Sequence, residues 1–179
     1  MSLTRYGYRD AISGFFEFPT DNARRILPSG LEPVELHHGT SIFSLTVFDF
    51  TESEVGAYGE AVMSVIVAPL VKPGERLPKS AFYPYLVATT TKAARDHAIE
   101  RWHLPHWMED VDIGFEREGN RLTAKVAADG APVAEMTIGT SSKSMSSALS
   151  PAAGCLPVSF APSAGLFEAG AGTGADGSG

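Results

Sequence analysis

The sequence predicts an α+β domain that is mainly β, built on antiparallel strands with one main helix and one short helix. Three observations carry that expectation. From Ser41 the pattern has period two, with Phe43, Leu45 and Val47 on one face and Ser44 and Thr46 on the other. Residues 111–138 repeat such alternation three times, punctuated by the turn dipeptides Gly119-Asn120 and Asp129-Gly130. Between these regions lies a helical pattern opened by Thr90 or Thr91 and stopped by Pro105, which cannot continue a helix.

The first thirteen residues mix Tyr, Arg and Asp without a period and are expected to form a loosely packed arm. Phe15, Phe16 and Phe18 give a short aromatic strand. Thr20 is placed as the N-cap of a short helix whose buried face is Ala23, Ile26 and Leu27, and Pro28 ends it. Gly30 turns the chain towards a strand at Val34–His37. After the strand from Ser41, an acidic loop at 51–59 leads into residues 60–70, apolar on both faces and therefore expected to be covered on both, under a layer or at a subunit contact. Residues 72–80 are a polar loop. Phe82 to Thr89 forms a strand that Pro84 assigns to an edge or a bulge. The main helix should bury Ala94, Ala98, Ile99 and Trp102.

One domain is expected over residues 1–140. The segment 141–179 is rich in Ser, Ala, Gly and Pro, with one strand-like piece at Pro157–Ala161 and expected disorder from about residue 169. A chain of 179 residues can bury a sizeable core without metals or disulfides. The net charge of −7 and scattered Lys and Arg argue against nucleic acid and against an anionic membrane as partners. With no apolar run near about 18 residues and no signal-type N-terminus, a cytoplasmic location is the expectation. The single Cys155 excludes an intrachain disulfide framework and has no histidine nearby in sequence.

The densest chemistry lies at Glu100-Arg101-Trp102-His103-Leu104-Pro105-His106-Trp107, where the chain leaves the main helix. Loops on a rigid scaffold are common places for function, but a helix-to-strand corner plugged by two tryptophans explains the same residues. Glu100, His103 and His106 have carboxylate and imidazole donors at three-residue steps, but Pro105 breaks the helix between the histidines. No metal and no cofactor are therefore expected. His37 and His38 are neighbours on a strand, so their rings point to opposite faces. None of Lys72, Lys79, Lys92, Lys125 and Lys143 has an apolar setting that would lower its pKa.

Four stretches together resemble the acetoacetate decarboxylase family over residues 14–140. They are Thr20-Asp21 with Ile26 to Pro33, Gly56 to Ala61 leading into Val65-Ile66-Val67, Glu100 to His106, and Gly130 to Ala134. The resemblance implies a cone-shaped antiparallel barrel, a small-molecule carbonyl ligand or substrate and a homo-oligomer. It also implies a departure: the family's Schiff-base lysine and its cationic neighbour fall on His106 and Trp107, and an imidazole cannot form the imine. A further family arginine falls on Pro19. By that correspondence the catalytic pair is His106 with Glu60, and Tyr58, Glu100, Trp102, His103 and Trp107 are the substrate-binding candidates, in a cavity expected to include Phe43, Val62 and Ile66. Enolisation of a carbonyl or keto-acid substrate by His/Glu acid–base chemistry follows, in a lyase, dehydratase, isomerase or cyclase. A non-catalytic small-molecule binder is the alternative.

Overall fold

The period-two run becomes the central strand of a sheet because its two faces meet different partners. The computed structural model describes residues 5–68, 81–139 and 159–160. Its elements are β1 (Gly7–Pro19), α1 (Thr20–Ile26), β2 (Glu35–His37), β3 (Thr40–Glu52), β4 (Tyr58–Ile66), β5 (Phe82–Thr89), α2 (Lys92–Trp102), β6 (Val111–Glu118), β7 (Arg121–Ala128), β8 (Ala131–Gly139) and β9 (Ser159–Phe160). The first sheet runs β1-β3-β4-β5, with β2 also on β3, and the second runs β6-β7-β8-β9. All of these strand pairings are antiparallel.

Phe43, Leu45 and Val47 of β3, with Ala61 and Met63 of β4, pack against Leu122, Ala124, Val126 and Met136 of the second sheet. Further along that same inner face, α1 covers Val65 and Val67 with Ala23 and Leu27. The opposite, outer face is covered at one end by α2, which sets Ala94 against Phe50 and Tyr58. The inner face of residues 60–66 is thus covered, whereas on the outer face the cover from α2 lies at the Tyr58 end and Val62 and Ile66 are only partly buried.

The meander forms as its turn dipeptides require, with Asp129 and Gly130 both at positive φ, 49° and 76°. Pro84 lies at the end strand β5, beside a register shift that leaves Tyr85 unpaired between Leu86 and Pro84. The strand-like piece in the C-terminal segment pairs as β9 with β8. The loop at 72–80 and the expected disorder from residue 169 fall outside the described residues.

Three expectations are corrected. Residues 7–13 are not an arm: they belong to β1, paired along its length with β3, for example Ile12 with Val47. A bulge at Arg9 interrupts the alternation and hides the strand in the sequence; ion pairs from Arg9 to Asp49 and from Arg117 to Asp10 hold it. Thr20 is not an N-cap. It is the first residue of α1, after Pro19, and its buried Oγ1 lies 2.9 Å from Ser41 Oγ, so the two hydroxyls satisfy each other. Finally, α2 buries only Ala94 and Ala98, with Ile99 and Trp102 37% and 48% exposed.

The cone-shaped barrel takes the form of two stacked sheets. Among the described residues no ladder joins them, and residues 105–107 run along the outer edge of β5. There the Val87 N–H donates to Pro105 O at 2.9 Å and the Trp107 N–H donates to Val87 O at 2.8 Å.

Thr91, rather than Thr90, caps α2: its Oγ1 accepts from the Ala94 N–H at 3.2 Å, while Thr90 is tied to Gly59. Thr91→Ala should therefore cost about 1 kcal/mol, read as a lower urea midpoint, whereas a loss below ~0.3 kcal/mol would show that the cap contributes nothing.

Candidate functional site

The outer face of the first sheet is aromatic where α2 crosses it. Register puts Phe50 opposite Tyr58 and lines up Phe48, Glu60 and Thr89 across β3, β4 and β5. The rings pack on one another: Phe48 and Phe50 are stacked at 5.1 Å, Phe50 and Tyr58 lie at 5.0 Å, and Tyr6 stands 5.5 Å from Phe50. Over part of this floor α2 packs Ala94 against Phe50 and Tyr58, and Ala94 and Ala98 both border the space that remains beside them. The result is a cleft of about 360 Å³, with Tyr8, His97, Trp102 and Leu104 completing its walls. Its size lies within the ~300–1,000 Å³ of ordinary small-molecule sites.

Among the described residues Glu60 is the only carboxylate in this lining. Burial pushes its pKa up from 4.5 to about 7, opposed only by a hydrogen bond from the Tyr58 hydroxyl at 3.4 Å. The Tyr58 hydroxyl is held protonated far above its ordinary range, first by burial and then by the adjacent Glu60 charge. Behind Glu60, the missing side chain of Gly59 lets β6 close in: a Cβ there would lie 2.9 Å from Ile113 Cβ. The carboxylate therefore stands on well-packed backbone.

His106 does not line the cleft. It bridges to Val87, and bridge partners project to the same side of a sheet, so His106, Thr89 and Glu60 share the outer face. Its Nδ1 lies 2.7 Å from Trp107 O, which can only accept, so Nδ1 carries the proton. In the neutral ring Nε2 then accepts from Thr89 Oγ1 at 3.1 Å. Burial, aided by the charge of Arg95, lowers the His106 pKa despite the bond to Trp107 O, and the neutral ring is favoured. Glu60 and His106 thus stand on either side of Thr89.

Of the other candidates, Tyr58 and Trp102 line the cleft, whereas Glu100, His103 and Trp107 do not. Glu100 is exposed on α2, and His103 is the exposed, left-handed C-cap with φ of 53°. Trp107 packs its ring against the core between the sheets and donates from Nε1 to Glu109 at 2.6 Å. Phe43 belongs to that core too, and Val62 and Ile66 lie farther along the outer face. Among the described residues no three His, Cys, Asp or Glu side chains gather as a metal site. Lys92 and Lys125, the described lysines, are paired with Asp96 and Glu116 away from the cleft.

Sequence reasoning missed Tyr6, Tyr8, Phe48, Phe50, His97 and Leu104. For two of them the signal was present, because Thr46, Phe48 and Phe50 continue the period on the second face of β3. The others depend on the bulged β1 and on the way α2 lies, with Tyr6 Oη reaching His97 Nε2 at 3.3 Å and receiving the Trp102 Nε1–H at 3.4 Å.

A family model described as acetoacetate decarboxylase matches residues 2–168. Among solved structures, the chain is similar to acetoacetate decarboxylase from Legionella pneumophila, with a TM-score of 0.65 and 18% identity over 80% of this chain and 52% of that one. A second acetoacetate decarboxylase structure gives a TM-score of 0.58 and 15% identity over 79% of this chain and 53% of that one. The enduracididine biosynthesis enzyme MppR complexed with pyruvate gives 0.50 and 13% over 72% and 54%. The chain thus spans about half the length of these proteins, and the likeness is one of fold. No curated protein matches it. Among the described residues no helix is long and apolar enough to cross a membrane.

Proposed function

The chain belongs to the acetoacetate decarboxylase family, and from that premise we propose that it is a small-molecule enzyme acting on an enolisable carbonyl or keto-acid substrate by acid–base chemistry centred on Glu60, without a Schiff base. The observation that carries this reading is a part-buried carboxyl, with a pKa of about 7, at the floor of an aromatic cleft beside a protonated phenol. A general base works best when its pKa lies near the operating pH.

In the proposed step the Glu60 carboxylate takes the proton from the carbon next to the substrate carbonyl. The C–H electron pair moves to the carbonyl oxygen, which becomes an enolate. The Tyr58 hydroxyl donates a hydrogen bond to that oxygen as its charge grows. Collapse of the enolate either returns the pair to the same carbon, which takes the proton back from Glu60, or forms a C=C bond while the bond to a leaving group on the next carbon breaks, and the departing group takes its electrons and the Glu60 proton. His106 acts here through Thr89, fixing the hydroxyl opposite Glu60, and is a positioning residue in this scheme.

Both ring nitrogens of His106 are engaged by protein groups, which favours the second reading, a non-catalytic binder with a structural histidine. Solvent-deuterium exchange separates the two. The enzyme should exchange the α-hydrogens of an enolisable ketone in D₂O well above the buffer rate, and a rate equal to buffer across a ketone panel would leave the binder. Borohydride treatment with acetoacetate should leave the intact mass unchanged, since neither described lysine, Lys92 or Lys125, lines the cleft; a stoichiometric adduct would restore amine catalysis.

A further inference from the structure

The cleft has a second polar group, set apart from the pair at Glu60. Tyr58 and Glu60 come from β4, whereas Tyr6 precedes β1 and His97 and Trp102 come from α2, and all five line the same space. The centre of the Tyr6 ring stands 5.5 Å from that of Phe50, which lies 5.0 Å from that of Tyr58, so both phenols border the Phe50 ring. They are near enough to influence each other, because a negative charge on Tyr6 adds to burial and to Glu60 in holding Tyr58 protonated.

The hydrogen bonds at Tyr6 have a direction. Indole Nε1 only donates, so the Trp102 N–H at 3.4 Å takes one lone pair of the Tyr6 oxygen. His97 Nε2 lies 3.3 Å from the same oxygen. In any form of the ring whose Nε2 carries hydrogen, the imidazolium included, that bond also runs towards the oxygen. Both lone pairs are then taken, and the hydroxyl's own proton is left to meet a third group. Two donors on one oxygen also stabilise the charge that appears there as the proton leaves. A phenol held in this way is arranged to give up a proton, and as a lining residue it meets whatever enters the cleft. A carboxyl that serves both ends of an elimination must take a proton from one carbon and carry it to the group leaving the next. A second acid in the same cleft relieves it of the second task.

We infer that Tyr6 is the acid that protonates a departing hydroxyl, and that the substrate is a β-hydroxy carbonyl compound, which the site dehydrates. This rests on the reading of Glu60 as the base and narrows it to one reaction, with Tyr6 rather than Glu60 supplying the leaving group's proton. Glu60 takes the proton from the carbon next to the carbonyl, and the C–H pair forms the enolate, which accepts the Tyr58 hydrogen bond. The enolate pair then makes the C=C bond. The C–O bond to the β-hydroxyl breaks with its electrons on oxygen, and the Tyr6 proton turns that oxygen into water. His97 passes its Nε2 proton to the Tyr6 oxygen. His97 then regains a proton from solvent and Glu60 releases one to it, so the protein returns to its starting state. The products are an α,β-unsaturated carbonyl compound and water. Tyr6 is a catalytic residue in this step, and His97 and Trp102 act through it as positioning residues.

Three ketones that differ at one carbon test this: the aldol of acetone with benzaldehyde, the acetate ester of that aldol, and benzylacetone, which has no leaving group. The wild type should convert the aldol to benzylideneacetone, followed by its ultraviolet absorbance, and should exchange solvent deuterium into benzylacetone. Tyr6→Phe should slow the loss of water by about 10²–10⁴-fold, the usual contribution of a positioned acid. Exchange into benzylacetone should be nearly unchanged in that variant, and so should loss of acetate, which departs without a proton. His97→Gln should give the same pattern to a smaller degree, because Tyr6 keeps its hydroxyl. An equal fall on all three ketones would make Tyr6 a wall of the cleft and overturn the inference. Loss of water at the wild-type rate in Tyr6→Phe would overturn it too, leaving Glu60 to carry the proton across. The two readings fail separately. A wild type that exchanges benzylacetone but never dehydrates the aldol removes Tyr6 as the acid and leaves Glu60 as the base, whereas exchange at the buffer rate with no dehydration removes the base itself.

Discussion

Glu60→Gln should lower deuterium exchange into a bound ketone by about 10²–10⁴-fold, the usual contribution of a positioned acid–base group, while making the protein more stable at pH 8. Both effects come from one desolvated carboxyl. In the wild type, kcat/KM for exchange should rise with pH through about 7 and level off, because the base is the ionised form. The stability effect has the opposite sense. A pKa raised from 4.5 to about 7 means that the folded protein keeps the proton longer than the unfolded chain does. Stability attributable to Glu60 therefore falls as pH rises from about 4.5 to about 7, and is level above. At about 1.4 kcal/mol per pH unit the upper bound is ~3 kcal/mol, and partial solvent access reduces it to about 1–2. The glutamine amide keeps a polar partner for Tyr58 and carries no charge to desolvate, so it should recover that amount at pH 8 and nothing at pH 4. Urea denaturation at the two pH values measures this. Equal stability of the two proteins at both pH values would place the charge in solvent, and unchanged exchange activity would remove the carboxyl from the proposed step.

His106 has the contrary sign. Its folded pKa lies below 6.5, so below that value the unfolded chain binds the proton more readily and stability drops as pH falls. His106→Ala should reduce exchange less than Glu60→Gln does and leave the rise through pH 7 in place, as befits a residue acting through Thr89. If it removed that rise, His106 would be the titrating base.

The sequence carried the fold wherever local chemistry and the tertiary arrangement agree. Asp129-Gly130 is favourable as a turn in isolation, and the alternation on either side of it has one sheet to fill, so the meander was legible to within a few residues. Thr20 was misread because a hydroxyl before a helix is a good cap only when no buried partner competes, and Ser41, twenty-one positions away, competes. The cleft was legible in part. Glu60 could be singled out as a carboxylate heading an apolar strand, but the cleft is completed by Tyr6 and Tyr8, from a segment whose bulge at Arg9 erases the period. The α2 roof depends on which stripe of the helix is small, not on which is apolar; Ile99 and Trp102 are more apolar than Ala94 and Ala98, but project outward.

Leu45→Ala should be the most damaging single truncation in the core, at about 2–5 kcal/mol, against a whole-domain stability of only ~5–15 kcal/mol. Leu45 is completely buried, on the inner face of β3, with Gly14 of β1 on one side and Met63 of β4 on the other. Three features prevent the structure from closing over the vacancy. β3 is hydrogen-bonded along both edges, so its backbone cannot sink towards the second sheet. The neighbour on β1 is Gly14, which has no side chain of its own, and the Phe16 ring and Met136 Sδ already fill the space over it. Across the interface Ala124, 1% exposed, is already short and fixed in the middle of its own ladder between β6 and β8. The removed carbons therefore leave a cavity, and the cost includes lost dispersion contacts as well as lost burial. Leu36→Ala is the control: at 57% exposure on β2 it should change stability by no more than about 0.5 kcal/mol. Urea midpoints with unchanged m-values would report both. A Leu45→Ala loss below ~1 kcal/mol would mean that the two sheets repack freely. Because Leu45 and Glu60 belong to opposite faces of the first sheet, the rise of exchange activity through pH 7 should survive in the truncated protein wherever it remains folded. A shifted profile would show that packing between the sheets sets the environment of Glu60, and that the outer-face cleft does not do so alone.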